Sequence, residues 1–330
     1  MLSHVMSLAA RSKTILISHH IYDNWRAKKR FVAGDIESTS GSTHTPLTLQ
    51  DSLRYIDLAF DDYLVYSGLS REMLRDKSIL EIGPGDNVGV ALKFLLAGAR
   101  QVVGLDKFSS RQDCVQQRRI YQAMREALNN DEQHFFDAMI DPELSLPADS
   151  SKLVTLFGRG IEEAEHLFEP ASFDLIISRA VFEHVYDPDR AFSVMHKLLK
   201  PGGYMLHKID FRDHGIFSKH HHHPLTFLTI PDSVYRLMVY DSGKPNRKLL
   251  PYYRNKAAGL GFAARFLVTH IVGVESEIVP HKEGVFFNVD YSDSTLSLLK
   301  SIRPRLQEEF KNMPDTDLMV SGIFLIAQKH

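Results

Sequence analysis

The sequence predicts a doubly wound α/β fold on a seven-stranded, mostly parallel sheet, with an N-terminal helical cap and an insertion after strand five. Three observations carry this reading. A short apolar strand, Ile79-Leu80-Glu81-Ile82, runs directly into Gly83-Pro84-Gly85. A helical stripe of Val88, Leu92, Leu95 and Leu96 follows, and Val102-Val103-Gly104-Leu105 then ends on an acid, Asp106. Strand, glycine turn, helix and strand make a βαβ unit, whose crossover is right-handed. Strand and helix signals then alternate toward the end of the chain.

Before this unit, residues 1–48 show little periodicity, and Glu37-Ser38-Thr39-Ser40-Gly41-Ser42-Thr43 reads as a loop or linker. From Asp51, apolar residues recur at Leu53, Ile56, Phe60 and Leu64, the spacing of a helix placed to cover a ligand site. Residues 1–75 are therefore read as an N-terminal arm and helical cap, and 76–330 as the main domain.

Residues 109–150 read as mainly helical, with loops around Pro142 and Pro147. Leu153–Phe157 is the third strand and Phe173–Ser178 the fourth. Asp187-Pro188 supplies a cap and a first-turn proline. The buried stripe of that helix is Ala191, Val194, Met195, Leu198 and Leu199, and it ends at Lys200-Pro201-Gly202-Gly203. Tyr204 to Ile209 is the fifth strand. Residues 211–258 break the alternation and read as a substrate-side insertion. Ala264–Val274 and Leu318–Ala327 complete the sheet, with a helix near Ser294–Phe310 between them, and no internal repeat is visible.

The 330 residues suffice for one large domain with a cap. Apolar residues make up 44% and charged residues 24%, the balance of a soluble globular protein. A net charge of −2 gives no global attraction to nucleic acid or to an anionic membrane, so neither is expected as a partner. No apolar run is long enough to span a bilayer. Cys114 is the one cysteine, which excludes an internal disulfide and points to no oxidising compartment. The first thirty residues hold Arg11, Lys13, Arg26, Lys28, Lys29 and Arg30 against Asp23. They read as the basic arm of a cytoplasmic protein rather than a transit segment. The oligomeric state stays open, a homo-oligomer included.

The loop Glu81-Ile82-Gly83-Pro84-Gly85-Asp86-Asn87 carries the chemistry. Glycines after a first strand let backbone approach a ligand, and the next helix offers free amides. Asp106 follows Gly83 by 23 residues, close to the roughly 20 at which an acid accepts from a ribose diol in dinucleotide folds. The loop alone also admits an NAD(P) site, and hence an oxidoreductase. Glu81 separates the two, because its charge suits a ligand with an amine and a sulfonium and opposes a pyrophosphate.

Both Leu80-Glu81-Ile82-Gly83-Pro84-Gly85 and the block Phe173–Val185, with Asp187 and Lys200-Pro201-Gly202-Gly203, resemble the class I S-adenosylmethionine (SAM)-dependent methyltransferase family, over roughly residues 78–210. The resemblance implies a Rossmann-like sheet with SAM as cofactor. It places Glu81, Gly83 and Gly85 around the methionine part, with Pro84, Asp86 and Asn87 in the same loop. Asp106 would hold the ribose and Lys107 would border the adenosine. The family's acid after strand three is missing from Gly158-Arg159-Gly160-Ile161-Glu162, which leaves Gly160 backbone and the Ile161 side chain for adenine. Ser178 and Arg179 would face the transfer region.

The acceptor is read as a small molecule, methylated on a hydroxyl oxygen. The Asn-Pro-Pro-Tyr signature of amide and base-nitrogen methylation is replaced by Ser178-Arg179-Ala180-Val181, and Cys114 follows Asp113 rather than proline. Candidate bases gather after strands four and five: His184, His207, Asp210, Asp213 and His214, with Asp210 and His214 best placed. Residues 224–229, Tyr235–Tyr240 and Pro245-Asn246-Arg247 would line the acceptor pocket. No metal site is assigned, and His220-His221-His222-His223 reads as a solvated loop. A non-catalytic SAM-binding scaffold is the second alternative to the enzyme reading.

Overall fold

A computed structural model describes residues 12–38, 41–141, 146–147 and 151–330. The linker positions Thr39 and Ser40, the loop position Pro142 and the basic-arm residue Arg11 lie outside the described residues. Seven strands form the sheet: β1 (Ser78–Ile82), β2 (Gln101–Asp106), β3 (Leu153–Phe157), β4 (Phe173–Arg179), β5 (Leu199–Asp210), β6 (Ala263–Ile271) and β7 (Val320–Gln328). Their order is β6-β7-β5-β4-β1-β2-β3. Neighbours from β3 to β5 run parallel, while β7 is antiparallel to both β5 and β6. The chain reverses its direction of winding between β1 and β4. In such sheets ligands bind at that switch point, beyond the carboxyl ends of the strands.

Helices cover both faces: α1 (Lys13–Val32), α2 (Leu49–Ser67), α3 (Gly89–Leu96), α4 (Cys114–Glu126), α5 (Asn130–Met139), α6 (Pro188–Leu198), α7 (Asp232–Val239), α8 (Leu250–Gly259) and α9 (Asp293–Ile302). Strand alternation divides the core between them. Leu80, Ile82, Val103, Leu105, Ile176 and Met205 pack with α6, α7, α8 and α9. Ile79, Val102, Leu175, Ile177 and Leu206 pack with α2, α3, α4 and α5.

Local signals fix the helix ends. The Thr48 hydroxyl accepts from Asp51 N at the start of α2, and Gly68 closes it in the left-handed conformation. Asp187 accepts from Arg190 N, with Pro188 in the first turn of α6. Asn129 and Glu132 form a reciprocal capping box on α5.

Two sequence expectations change. Residues 13–32, read as aperiodic, form the long helix α1. Its buried stripe is Leu16, His20 and Asn24, spaced for a helix but mostly polar, while Ile15, Tyr22, Trp25 and Val32 are exposed. A stripe of that kind carries no hydrophobic period. The second change is that α6 ends at Leu198 and β5 begins at once, with Lys200–Gly203 inside the strand at a register irregularity opposite β4. Between β5 and α8, the segment from Phe211 to Leu249 holds α7 and two short turns, and α8 packs on β6 and β7. No helix among the described residues is long and apolar enough to cross a membrane.

Replacing Asp187 by Ala removes the α6 cap and should cost about 1 kcal/mol of stability, read as a lower urea midpoint at unchanged slope.

Candidate active site

The glycine loop sits at the switch point because β1 delivers it there. Gly83 and Gly85 both have positive φ, 67° and 74°, a region where side chains are strained. A Cβ at Gly83 would come within 2.5 Å of Val181, and one at Gly85 within 2.7 Å of the Gly41 carbonyl oxygen. Gly83 N donates to Leu105 O at 2.8 Å, which ties the loop to β2.

Asp86 and Asn87 hold this loop in place. The buried Asp86 carboxylate accepts from His44 N, Thr45 N and the Thr45 hydroxyl, and Asp86 N donates to Gly41 O. This draws residues 41–45 across the glycine turn. Asn87 Oδ1 accepts from Gly89 N at 2.6 Å, and its amide donates to Gln117. Both residues border the cavity, but their polar groups are engaged within the protein.

That cavity has a volume of about 780 Å³, within the usual range for small-molecule sites. Its wall runs along Glu81–Asn87, Asp106–Phe108 and Gly160–Glu162, and includes Arg179, His184, His214, Lys219 and Lys244. Glu81 is the notable group. It is buried in the middle of the sheet, its Oε2 has no partner among the described residues, and burial pushes its carboxyl up to about 8. Such an acid is poised to ionise when a cation arrives.

Asp106 closes β2 beside it. Burial raises its carboxyl to about 6 against the pull of backbone amides, one of which, Phe108 N, donates to Oδ1 at 3.0 Å. Lys107 Nζ stands 3.6 Å from the ring centre of Tyr186 and 5.3 Å from that of Phe31, and burial lowers its pKa. Gly160 precedes a short turn whose first residue, Ile161, is buried against the cavity. Glu162 Oε1 accepts from Tyr186 N and Asp187 N, which joins this loop to the start of α6.

At the end of β4 the two expected residues part. Arg179 lines the cavity, donates to Asp62 of α2 at 2.7 Å and lies over the Tyr55 ring. Ser178 is buried and shares a 2.8 Å hydrogen bond with His207 Nδ1. Neither Ser178 nor His207 reaches the cavity wall. His207 is fully buried against Phe182, and desolvation lowers its pKa to about 3. Strand alternation has turned both into the core, which corrects the expectation that they face the reaction.

The other candidate bases form a cluster after β4 and β5. The His184 and His214 rings meet edge to face at 4.7 Å, and both line the cavity. His214 Nε2 lies 3.6 Å from Asp210 and 3.9 Å from Glu183. Burial lowers the pKa of His184 to about 3 and also lowers that of His214, so both rings are neutral. Burial pushes the Asp210 carboxyl up, but the hydrogen bonds and charge of Arg212 outweigh it, and the net pKa falls below the ordinary value. Asp210 is thus an ionised partner behind His214. Asp213 is spent locally, accepting from Gly215 N, Phe217 N, Ser218 N and the Ser218 hydroxyl.

The acceptor wall also differs from expectation. Arg247 donates to Phe227 O, Ile230 O and Asp232 and stacks on Tyr235, so it clamps the segment instead of facing the cavity. Phe227, Leu228 and Tyr235 are core residues. Ile216, Lys219, Asp241 and Lys244 take their place on the wall, together with His20, Ala27 and Arg30 of α1 and Tyr55 and Tyr63 of α2. The α2 stripe could have pointed to its aromatics. The α1 residues carried no signal, because their helix went unread. The four histidines do not converge: His221 is left-handed, and both His223 ring nitrogens face backbone groups.

The donor set fits SAM. An unpartnered buried carboxylate awaits an amine or sulfonium, and two glycines stand where any side chain would collide. Residues 57–254 match a family model described as a methyltransferase domain, more than half of the chain. No curated protein matches it. Among solved structures it is similar to an S-adenosylmethionine-dependent methyltransferase from Mesorhizobium loti (15% identity, TM-score 0.41, covering 83% of this chain and 100% of that one). It is similar also to the YcgJ protein of Bacillus subtilis (13%, 0.41, 84% and 98%). A third is an arsenic(III) S-adenosylmethionine methyltransferase from Chlamydomonas reinhardtii (16%, 0.38, 83% and 72%). The family match sets aside the nicotinamide alternative that the glycine loop had left open, and the chain belongs to the SAM-dependent methyltransferases, with SAM as its cofactor.

Proposed function

We propose that this enzyme methylates a hydroxyl oxygen of a small molecule. The observation that carries the proposal is one cavity with an unpartnered acid, Glu81, beside the glycine loop and a cluster of neutral histidines and ionised Asp210 after β4 and β5. Bound SAM supplies a methyl group already activated on a sulfonium. The protein's tasks are therefore to orient the acceptor and to take charge of its proton.

Glu81 would hold the ligand's cationic end, and Asp106 the ribose hydroxyls, with Lys107 and Ile161 along the adenosine. Gly83, Pro84, Gly85 and Gly160 would supply backbone and close approach, while Asp86 and Asn87 keep the loop in shape. Arg179, tied to Asp62, would position Tyr55 over the methionine side. The acceptor hydroxyl would sit at His184 and His214, with Asp210 fixing the His214 ring. Residues 1–75 would form the cap, and 211–258 the acceptor side of the 76–330 domain. Nothing in this reading needs nucleic acid, a membrane or a second subunit.

Three outcomes test the reading. Asp106→Ala should weaken binding of S-adenosylhomocysteine at least tenfold, about 1.4 kcal/mol by calorimetry, and unchanged affinity would reject the ribose assignment. In the free protein Glu81 is protonated below about pH 8, and a cationic ligand favours its ionised form. Binding should therefore release a proton, and affinity should rise with pH up to that value and then level off. Glu81→Gln should remove this slope. With a ¹³C-labelled methyl donor and a panel of hydroxylated acceptors, the product should show a methoxy carbon. His214→Ala should reduce its rate while leaving S-adenosylhomocysteine affinity unchanged. An N-methyl or C-methyl product would overturn the oxygen assignment, and cofactor binding with no turnover on any acceptor would favour the scaffold alternative.

A further inference from the structure

Glu183, His184 and His214 each offer one donor atom, and the three atoms lie within 4.8 Å of one another. The His214 Nε2 to Glu183 Oε1 separation is 3.9 Å. An ion bonded to both at about 2.0–2.2 Å spans a gap of that size. We propose that this cluster is a divalent cation site at the acceptor end of the cavity.

Independent observations point to a missing ligand there. Glu183 is 2% exposed, and its Oε2 has no hydrogen-bond partner among the described residues. Oε1, the oxygen nearest His214, accepts from Asp210 N at 3.2 Å and keeps a lone pair for an ion. His184 Nδ1 is likewise buried and unpartnered. Buried polar atoms are rarely left this way, and two in one triad are a costly arrangement unless something binds them. Asp210, held by Arg212, adds negative charge 3.6 Å from the His214 nitrogen.

The local backbone is shaped for the cluster. Glu183 and His184 sit on a short turn directly after β4. His214 is brought back toward them by a left-handed residue conformation, φ 49°, just past β5. Such strain in a non-glycine residue is a common mark of a functional site. His184 and His214 also line the cavity, so the outer positions of an ion would face the space where the acceptor is placed. Two imidazoles and one carboxylate suit Mn²⁺, Fe²⁺ or Zn²⁺ better than Mg²⁺ or Ca²⁺.

Two other triads carry less. In Asp62, Glu277 and His281, the acids are already neutralised by Arg179 and Lys208. In His19, His20 and Asp23, His20 Nδ1 is occupied by Lys244 at 2.6 Å, and His19 is paired with Asp23.

The ion's role rests on the oxygen-methylation reading: it would take the acceptor hydroxyl into an open position and lower its pKa, with the proton passing to water. Occupancy of the site does not rest on that reading, so binding is tested without an acceptor. The full chain is stripped with a chelator and dialysed against Mn²⁺, Zn²⁺ or Mg²⁺ alone, with bound metal counted, and a Co²⁺ spectrum reports imidazole ligation. One Mn²⁺ or Zn²⁺ per chain is expected. Glu183→Gln and His214→Ala should each weaken it at least tenfold, with S-adenosylhomocysteine affinity and melting temperature retained. His214 faces the cavity, so its variant keeps the test valid if Glu183→Gln fails to fold. A control carrying His19→Ala, His220→Ala and His222→Ala should bind as wild type. Absence of a stoichiometric ion, binding unaffected by the His214 variant, or loss only in the control overturns the site. A bound ion with an N-methylated product would leave the site standing and overturn the acceptor reading, whereas a methoxy product without an ion would do the reverse.

Discussion

Strand β1 runs through the middle of the sheet with all five of its residues buried, and one of them is Glu81. Burying a carboxylate with a free oxygen is expensive, and the protein meets this by keeping it protonated near neutrality. β2 and β4 flank the strand in parallel, the glycine turn opens directly above it, and α2 lays Tyr55, Ala59 and Tyr63 over the cavity. On the proposed reading a cationic ligand would complete this acid.

The same logic explains how the roof is held. Asp86 lies one turn beyond Glu81 and is also buried, but it is fully engaged by residues 44 and 45. Asn24 of α1 accepts from Asp241 N at 2.7 Å, and His20 meets Lys244. These polar contacts bring α1, the 41–45 segment and the 241–245 segment together around one opening. Hydrogen bonds between polar groups, as well as apolar packing, therefore hold these segments around the opening.

Legibility in the sequence followed the physics of each element. The β1–α3–β2 unit, α6 and the glycine loop were readable because buried apolar periods, left-handed glycines and a proline-marked cap are local properties. Helix α1 was not, since its buried stripe is Leu16, His20 and Asn24. Site residues divided in the same way. Glu81, Gly83, Gly85 and Asp106 are fixed by their place on a strand or its turn. Ser178 and His207 have suitable chemistry, but their side of the strand turns them toward each other in the core. Arg247 was expected on the acceptor wall and is instead a clamp, and its partners Phe227, Ile230 and Asp232 lie 15 to 20 residues away in sequence. Contacts of that range leave no local pattern.

Two buried glutamates stand close to the cavity, Glu81 on its wall and Glu183 next to its histidines. Glu81 stands by the glycine loop and Glu183 behind the histidines, each with one oxygen unpartnered among the described residues and each with its pKa raised by burial. A single such group could be a tolerated defect of packing. Under the proposed cofactor and cation sites, each acid would be stabilised when a positive charge arrives. An organic cation fits the first, where glycine backbone leaves room for a bulky ligand. A compact ion fits the second, where two imidazoles stand close to the acid. On this view the free protein is strained at both ends by design of its charges, and ligand binding relieves the strain in proportion to how well each ion is matched.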